Sequence, residues 1–263
     1  MEHLFKDWEG RKKEFSGKTL AFFFDFDGTL TPIVRNPGKA ALPLGVRGLL
    51  RKISVNGRHR LAIVSGRALA DIKKKISISG ITYVGNYGLE IDGPKISFSS
   101  PVSPGYKKAL KCIKNYISDR IAVINGALLE DKGLSLSLHY RLAQRSQIPK
   151  IKSILLEALT MYSATDKIKI NLGKKVFEIR PAGEWGKGKV VLWLLARWRF
   201  NNKDKEVLPI YAGDDTSDEE AFKALRNEGI TIFVGEAKKS CARYYLKDTR
   251  EVKNFLKEIS NLR

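Results

Sequence analysis

The prediction of the fold starts from FFFDFDGTLTP, residues 22–32, in which an apolar run is followed by two aspartates. Residues 20–24 have the length of a buried strand and are too few to cross a membrane. Asp25 and Asp27 follow where that strand should end, and Gly28 allows the backbone to turn sharply after them. Because open parallel sheets bind ligands at the carboxyl ends of their strands, this stretch predicts an acidic site at a sheet edge.

Composition predicts a globular protein. The chain has 263 residues, 43% of them hydrophobic, which is enough for a sizeable core. Its two cysteines, Cys112 and Cys241, show no CxxC spacing, so we expect neither a disulfide framework nor a structural zinc site. No apolar stretch has the length of a membrane span, and residues 1–14 are too charged for a secretory leader. We therefore expect a cytoplasmic protein without a membrane partner.

The net charge of +20, from 48 basic and 28 acidic residues, is compatible with nucleic-acid binding. The lysines are scattered over the polar faces of helical patterns, however, and neither an arginine-rich arm nor an aromatic strand typical of RNA-binding modules accompanies them. This distribution favours a solvated surface, so we expect no nucleic-acid partner and keep a basic nucleic-acid-binding protein as a remote alternative.

Short apolar runs alternate with helical patterns in the first and last parts of the chain. The predicted strands are 20–24, 61–64, 82–84, 208–211 and 230–234, and the predicted helices are 45–53, 68–76, 187–197 and 218–225. This alternation predicts an α/β domain with a parallel sheet that is covered on both faces.

The middle of the chain has a different pattern, typical of an α+β module inserted into that domain. Its predicted helices are 106–117 and 147–161, and its predicted strands are 121–124, 127–130, 134–141, 167–171 and 176–180. We expect a core domain from 1–103 and 182–263 and a cap domain at 104–181, with hinges in SSPVSPG and RPAGEWG. Residues 1–18 are expected to pack as an amphipathic helix.

Three further segments have polar or charged residues where a predicted strand ends or a predicted helix begins. LAIVSGR ends in Ser65, GKGK opens a helix with Lys187, and IYAGDDTSDEEAF contains Asp214 and Asp215. With DFDGTLTP, this set resembles the four motifs of the haloacid dehalogenase superfamily, whose core is a Rossmann-like, doubly wound parallel sheet. Asp218 lies where a helix start favours negative charge, so we interpret it as structural or as a support for a neighbouring site residue.

That resemblance implies a phosphatase mechanism. Asp25 would attack phosphorus and form an aspartyl-phosphate, while Asp27 would protonate the leaving oxygen and later deprotonate water. Crowded carboxylates that face a phosphate need a hard divalent cation, so Mg²⁺ is the expected cofactor, with Asp25, the Asp27 carbonyl and Asp214 as ligands. Lys187 and Ser65 would orient the phosphoryl group.

Two cap segments alternate strictly between apolar and polar residues. In LLEDKGLSLSLHYR, His139 and Arg141 lie on the polar face, and in KVFEIRP, Glu178 and Arg180 do. Such a mixture of donors and acceptors suits a sugar, although the outer face of a solvated antiparallel sheet is the alternative.

LEDKGLSLSLHYR, VFEIRP followed by KGK, and VGNYGLEI resemble the trehalose-6-phosphate phosphatase family, which implies an enzyme that hydrolyses this small sugar phosphate. We expect it to act as a monomer. The resemblance implies these substrate-binding residues: Arg67, Asn86, Gly88, Glu130, Lys132, His139, Arg141, Glu178 and Arg180. Tyr87 departs from the family, which usually has histidine there, and this leaves sugar preference open. A phosphatase for sucrose phosphate or mannosyl-phosphoglycerate is the alternative on the same core.

Overall fold

The structure is a computed structural model that describes residues 1–162, 167–183, 185–200, 206–236 and 239–262. Residues 163–166 of the predicted cap and residue 184 of the predicted second hinge therefore lie outside the described residues. The described strands are β1 Glu2–His3, β2 Thr19–Phe24, β3 Arg60–Val64, β4 Thr82–Gly85, β5 Glu90–Gly93, β6 Ile96–Ser99, β7 Leu128–Asp131, β8 Leu136–His139, β9 Ile168–Gly173, β10 Val176–Pro181, β11 Val207–Gly213, β12 Ile230–Val234 and β13 Tyr244–Leu246.

The described α-helices are α1 Trp8–Phe15, α2 Val46–Val55, α3 Leu69–Ile76, α4 Pro104–Ile121, α5 Ile148–Met161, α6 Lys187–Phe200, α7 Glu219–Ala224 and α8 Thr249–Ser260. The chain divides into two compact units. The large unit contains Met1–Ser99 and Trp185–Arg263, and the small unit contains Ser100–Glu184. None of the described helices is both long and apolar enough to span a bilayer.

The large unit contains a nine-stranded sheet in the order β1-β13-β12-β11-β2-β3-β4-β5-β6. Pairing is parallel from β1 to β4, as the βα alternation predicts, and antiparallel from β4 to β6. The predicted strands did not include β5, β6 or β13. Strands β5 and β6 are four residues long and carry several polar residues, and β13 is only three residues long, so the apolar-run criterion does not detect these strands.

Strand β2 lies centrally and is buried on both faces. Phe22 and Phe24 pack in a core with apolar residues of α2, α3 and α8, whereas Phe23 packs in a second core with residues of α6 and α7. A continuous apolar run fits this position because successive side chains point to opposite faces. Burial of each phenylalanine stabilises the fold by about 2 kcal/mol. The three consecutive phenylalanines therefore bury β2 between two layers of helices. Asp25 is the first residue after this buried strand.

The small unit is an α+β structure with an antiparallel sheet in the order β7-β8-β10-β9. Leu136, Leu138, Phe177 and Ile179 pack in one core with apolar residues of α4 and α5. The strict alternation in β8 and β10 therefore correctly predicts which side chains face the helices.

Two local predictions are wrong. Residues 121–124 do not form a strand, because α4 continues to Ile121 and a turn follows in which the Ile124 N–H donates to the Ile121 carbonyl at 2.8 Å. Ile117, Ile121 and Ile124 are all buried at helix-like spacing, so the apolar run belongs to the helix side of the core. Residues 1–18 form a two-residue strand, a 3₁₀ turn at Leu4–Asp7 and α1 rather than one helix.

Candidate active site

The four predicted motifs lie together at one edge of the large sheet. Asp25 follows β2, Ser65 follows β3 and Asp214 follows β11, while Lys187 begins α6. Strand β2 pairs in parallel with both β11 and β3, so these three strand ends are neighbours. Sheet order therefore brings together residues that are far apart in sequence.

Lys187 joins two buried carboxylates at the centre of this cluster. Its Nζ lies 2.7 Å from Asp25 Oδ1 and 2.8 Å from Asp218 Oδ1. Asp218 is fully buried and receives three more hydrogen bonds, from the Tyr211 hydroxyl at 2.7 Å and from the N–H groups of Asp214 and Asp215 at 3.0 Å each. Four donors fix this carboxylate, and it in turn fixes the ammonium group beside Asp25.

Burial and charge shift the pKa values of this cluster. Burial raises the pKa of the Asp25 carboxyl well above its usual range, and nearby Asp218 and Asp214 add to this rise while Lys187 opposes it. Burial lowers the pKa of Lys187, but the carboxylates of Asp218 and Asp25 together raise it above its ordinary value. A site with so many acids in a small volume stabilises a bound cation.

Asp25, Asp214 and Asp218 each offer an oxygen, and these oxygens lie within 4.8 Å of one another. Asp218 is committed to its four donors, so Asp25 and Asp214 are the carboxylates best able to coordinate a metal. Gly28 makes this packing possible, because a Cβ at that position would collide with the Asp214 carboxylate. Its φ of +91° also favours glycine. Oxygen ligands of this kind suit a hard cation such as Mg²⁺.

Asp27 makes a bidentate ion pair with Arg67. The distances are 2.6 Å from Nε to Oδ2 and 2.7 Å from Nη2 to Oδ1. The same guanidinium donates to Asp71 Oδ2 at 2.7 Å and to the Pro37 carbonyl at 2.8 Å, and it lies over the Phe26 ring. Arg67 is predicted to bind substrate, and the structure places its guanidinium against Asp27, the predicted acid–base residue.

The loop after β4 packs against the loop after β3. The Asn86 N–H donates to the Arg67 carbonyl at 2.7 Å, and the Tyr87 N–H donates to the Ser65 carbonyl at 3.0 Å. Asn86 is fully buried and donates through its amide to Glu90 at 2.5 Å, so it supports this loop.

Tyr87 has a left-handed backbone, with a φ of +60°. A Cβ at Gly66 would collide with its ring, and its ring centroid lies 5.9 Å from Lys187 Nζ. Gly88 also has a positive φ, and its carbonyl accepts a hydrogen bond from Trp185. Asn86, which precedes Tyr87, has a φ of +48°. Positive φ at two successive non-glycine residues is costly and concentrates at functional sites. Tyr87 therefore lies beside the predicted phosphoryl-binding residues.

The small unit contains a polar row across its sheet. Register places Glu130 opposite Ser137, Ser137 opposite Glu178, and Glu178 opposite Asn171. Ser137 Oγ donates to Glu178 Oε2 at 2.6 Å, and Lys132 Nζ lies 3.4 Å from the same oxygen. Ser137 and Glu178 are both buried, so this face is not the solvated outer surface that was the alternative.

Other predicted cap residues lie near that row. His139 Nε2 lies 3.0 Å from Glu130 Oε2, and buried Arg180 pairs in register with Lys169. Arg141 lies apart from them, because its guanidinium donates to the Lys174 carbonyl at 2.6 Å on the exposed surface. The structure thus brings most, but not all, of the predicted cap residues to one sheet face.

Two residues of these clusters were missed as site residues. Asp218 was predicted to be structural or to support a site residue and was not counted in the site; the structure pairs it with Lys187, and its position in GDDTSDE was the available signal. Asn171 was not considered, although it alternates with Ile168 and Ile170 in the same way as the polar residues of β8. Its amide oxygen is buried and has no hydrogen-bond partner among the described residues.

Comparisons with known proteins agree with this geometry. A family model described as trehalose-phosphatase matches residues 23–250. Trehalose-phosphate phosphatase B of Arabidopsis thaliana is 32% identical over 255 residues, covering 92% of this chain and 67% of that protein.

Two solved structures share the fold. The C-terminal domain of trehalose-6-phosphate phosphatase from C. albicans matches with a TM-score of 0.80 at 22% identity, covering 97% of this chain and 95% of that one. A haloacid dehalogenase-like hydrolase from Bacteroides thetaiotaomicron matches with a TM-score of 0.63 at 17% identity, covering 92% of this chain and 100% of that one. The predicted α/β core with an α+β cap is therefore confirmed as a fold class.

Proposed function

This chain belongs to the trehalose-phosphatase family, and on that premise we propose that it hydrolyses trehalose 6-phosphate to trehalose and inorganic phosphate. The buried contact between Lys187 and Asp25, at 2.7 Å, is the observation that carries the proposal. It joins the first and third predicted motifs at the sheet edge where α/β proteins bind ligands. A protein with only a scaffold function would not need a lysine buried between two carboxylates.

The proposed reaction has two steps. An Asp25 oxygen forms a bond to phosphorus as the bond to the sugar oxygen breaks, and Asp27 gives its proton to that leaving oxygen. Asp27 then takes a proton from water, whose oxygen attacks phosphorus and breaks the bond to Asp25. Lys187 and Ser65 orient the phosphoryl oxygens, and the aspartyl-phosphate exists between the two steps.

We propose that Arg67 positions Asp27 rather than binding substrate. Each of its three nitrogens already donates a hydrogen bond: Nε and Nη2 to Asp27, Nη2 also to the Pro37 carbonyl, and Nη1 to Asp71. An acid–base group contributes only when it is within hydrogen-bond reach of the proton that it transfers, so the bidentate pair fixes the position of the Asp27 carboxylate. One of the two contacts has to open when Asp27 carries the proton that it gives to the leaving oxygen.

The donor set fits a magnesium ion held by Asp25, Asp214 and the Asp27 carbonyl. Asp25 and Asp214 provide hard oxygen ligands, and their crowding is stable only near positive charge. When bound, the ion would neutralise charge on the phosphoryl oxygens.

We propose that the sugar binds to the polar row of the small unit. Glu130, Ser137, Glu178 and Asn171 offer acceptors and donors on one face, as sugar hydroxyls require. Asn171 supports this role because its buried amide oxygen has no hydrogen-bond partner among the described residues. Asn86, Gly88, Lys132, His139, Arg141 and Arg180 stay predictions as substrate contacts.

A substrate panel tests the proposal. Purified protein with Mg²⁺ should release phosphate from trehalose 6-phosphate with a kcat/KM at least about 100-fold above that for sucrose phosphate, mannosyl-phosphoglycerate or glucose 6-phosphate, since several sugar hydroxyls differ among them. Equal or higher values for one of the others would identify a different sugar phosphatase. Affinity for nucleic acid that falls steeply with salt, without phosphatase activity, would favour the remote alternative.

Variants of the polar row give a sharper test. Glu178→Gln and Asn171→Ala should each reduce kcat/KM for trehalose 6-phosphate by about 10- to 100-fold, because each removes hydrogen bonds to sugar hydroxyls. A small aryl phosphate has no sugar, so its slow turnover should change less than about threefold. Exposed Lys152→Ala is the control that should change neither rate. Equal losses on both substrates would show that the row supports folding instead.

A further inference from the structure

The large unit has a cavity at the edge of its sheet opposite Asp25. Its volume is about 620 Å³, within the range that binds small molecules. Arg60 and Leu61 line it where β3 begins, and Thr82 lines it where β4 begins. Because Asp25 follows the carboxyl end of β2, and β2 and β3 are parallel, this amino-edge cavity is separate from the catalytic cluster.

The amino-edge cavity is strongly basic. Arg60, Lys95 and Arg197 line it, and none of the lining residues in the described part of the chain is acidic. Arg60 donates to the carbonyls of Gly57 and His59, and Arg197 donates to the Lys95 carbonyl at 2.8 Å, so both guanidinium groups are held by backbone. Within the described residues, no carboxylate forms an ion pair with any of the three cations. Their charge is therefore available to an anion.

His59 adds a buried donor to this cavity. It is 8% exposed, and its Nδ1 accepts a hydrogen bond from the Leu20 N–H at 3.2 Å. The proton of the neutral ring is consequently on Nε2, which has no hydrogen-bond partner in the described part of the chain. Burial, followed by the charges of Arg58 and Arg60, lowers the pKa of His59 to about 4, so the ring is neutral at physiological pH.

The cavity also has an apolar wall. Leu61, Ile96 and Trp198 line it, and the Trp198 ring stacks on Phe23 with centroids 5.0 Å apart. Basic groups on a rim and apolar side chains beneath them suit an organic molecule that carries charged groups at one end. A solvated basic surface needs neither the wall nor a buried imidazole donor.

We propose that the amino-edge cavity binds a small organic polyanion, at a site distinct from the catalytic one. Phosphate and carboxylate groups share the chemistry that two arginines, a lysine and an imidazole N–H would bind. Lys95 is on the turn between β5 and β6 with a φ of +59°, a strained conformation for a lysine that places a basic residue at the rim.

Titration calorimetry tests this site, with ADP as the phosphate probe and citrate as the carboxylate probe. Chelator in the buffer removes divalent metal from the catalytic carboxylates. At least one probe should bind saturably to the parent protein, and its identity tells phosphate from carboxylate chemistry. Arg60→Ala/Arg197→Ala should weaken that binding by about tenfold or more, because two charge-assisted contacts are lost.

Three comparisons make the result decisive. Lys111→Ala/Lys152→Ala removes the same charge from an exposed surface elsewhere and should leave binding unchanged. Lys95→Ala, an exposed turn variant, should weaken binding even if the arginine variant fails to fold. The proposal is overturned if neither probe saturates below about 10 mM, if the control weakens binding equally, or if Lys187→Ala abolishes binding while its circular dichroism spectrum remains that of the folded parent, which would place the probe at Lys187.

Discussion

Replacing Asp218 by asparagine tests how the cluster of Asp25, Lys187 and Asp218, the predicted active site, is held together. The change is nearly isosteric, but it removes one acceptor atom and the negative charge. Oδ1 accepts from Lys187 and Tyr211, and Oδ2 accepts from the N–H groups of Asp214 and Asp215. An amide has only one oxygen, so in either orientation its NH₂ group faces two donors.

The less costly orientation keeps the oxygen toward Lys187 and Tyr211. Two buried backbone N–H groups then lose their acceptor, at about 1–3 kcal/mol each, and Lys187 loses one of its two carboxylates. Asp25 still neutralises the lysine, which limits the second cost. We therefore expect the free energy of unfolding to fall by about 4 kcal/mol, a large fraction of the stability of a typical domain.

Urea unfolding, followed by circular dichroism at constant pH, measures this loss. Asp215→Asn is the matched control, because its Oδ1 accepts from the Thr216 N–H at 2.8 Å and asparagine can do the same. The control should change stability by less than about 0.5 kcal/mol. An Asp218→Asn loss below about 1 kcal/mol, or one no greater than that of the control, would refute the four-donor arrangement.

Asp25→Asn should reduce turnover at least about 1,000-fold while leaving the fold intact, because an amide cannot form the acyl phosphate; substantial residual turnover in a phosphate-release assay would contradict a covalent route. Chelator should abolish activity, Mg²⁺ should restore it and Ca²⁺ should inhibit, since Ca²⁺ takes more ligands at longer distances; full activity with Ca²⁺ alone would exclude the proposed metal geometry. Folded His59 has a pKa of about 4 and the unfolded side chain one near 6.5, so the unfolded state binds more protons between these values. Neutral His59 therefore contributes fully to the free energy of unfolding above about pH 6.5. This contribution falls by about 2 kcal/mol as the pH decreases toward 4, allowing for partial screening. His59→Asn keeps an acceptor for the Leu20 N–H, so its urea midpoints should lack this component, and an unchanged pH dependence would show that other groups cause it.

Individual elements show where sequence reasoning succeeds. The apolar run of β2 and the alternation in β8 and β10 depend on burial alone, so their predictions are confirmed. The run at 121–124 failed because four apolar or small residues fit the end of a helix as well as a strand. The helix is favoured over the strand because Ile117 and Ile121 lie on one side of α4 and pack in the small unit's core.

The sequence by itself determined the chemical groups at each strand end and the face on which each side chain lies, because backbone periodicity and turn chemistry are local. Only the tertiary structure decided which groups meet. Lys187 and Asp25 are 162 positions apart, and Arg67 and Asp27 are 40 apart. Their contacts depend on the strand order β11-β2-β3 and on its register, neither of which is encoded within one segment. That is why Asp218 resembles a helix-start acid in the sequence and pairs with the predicted catalytic lysine, Lys187, in the fold.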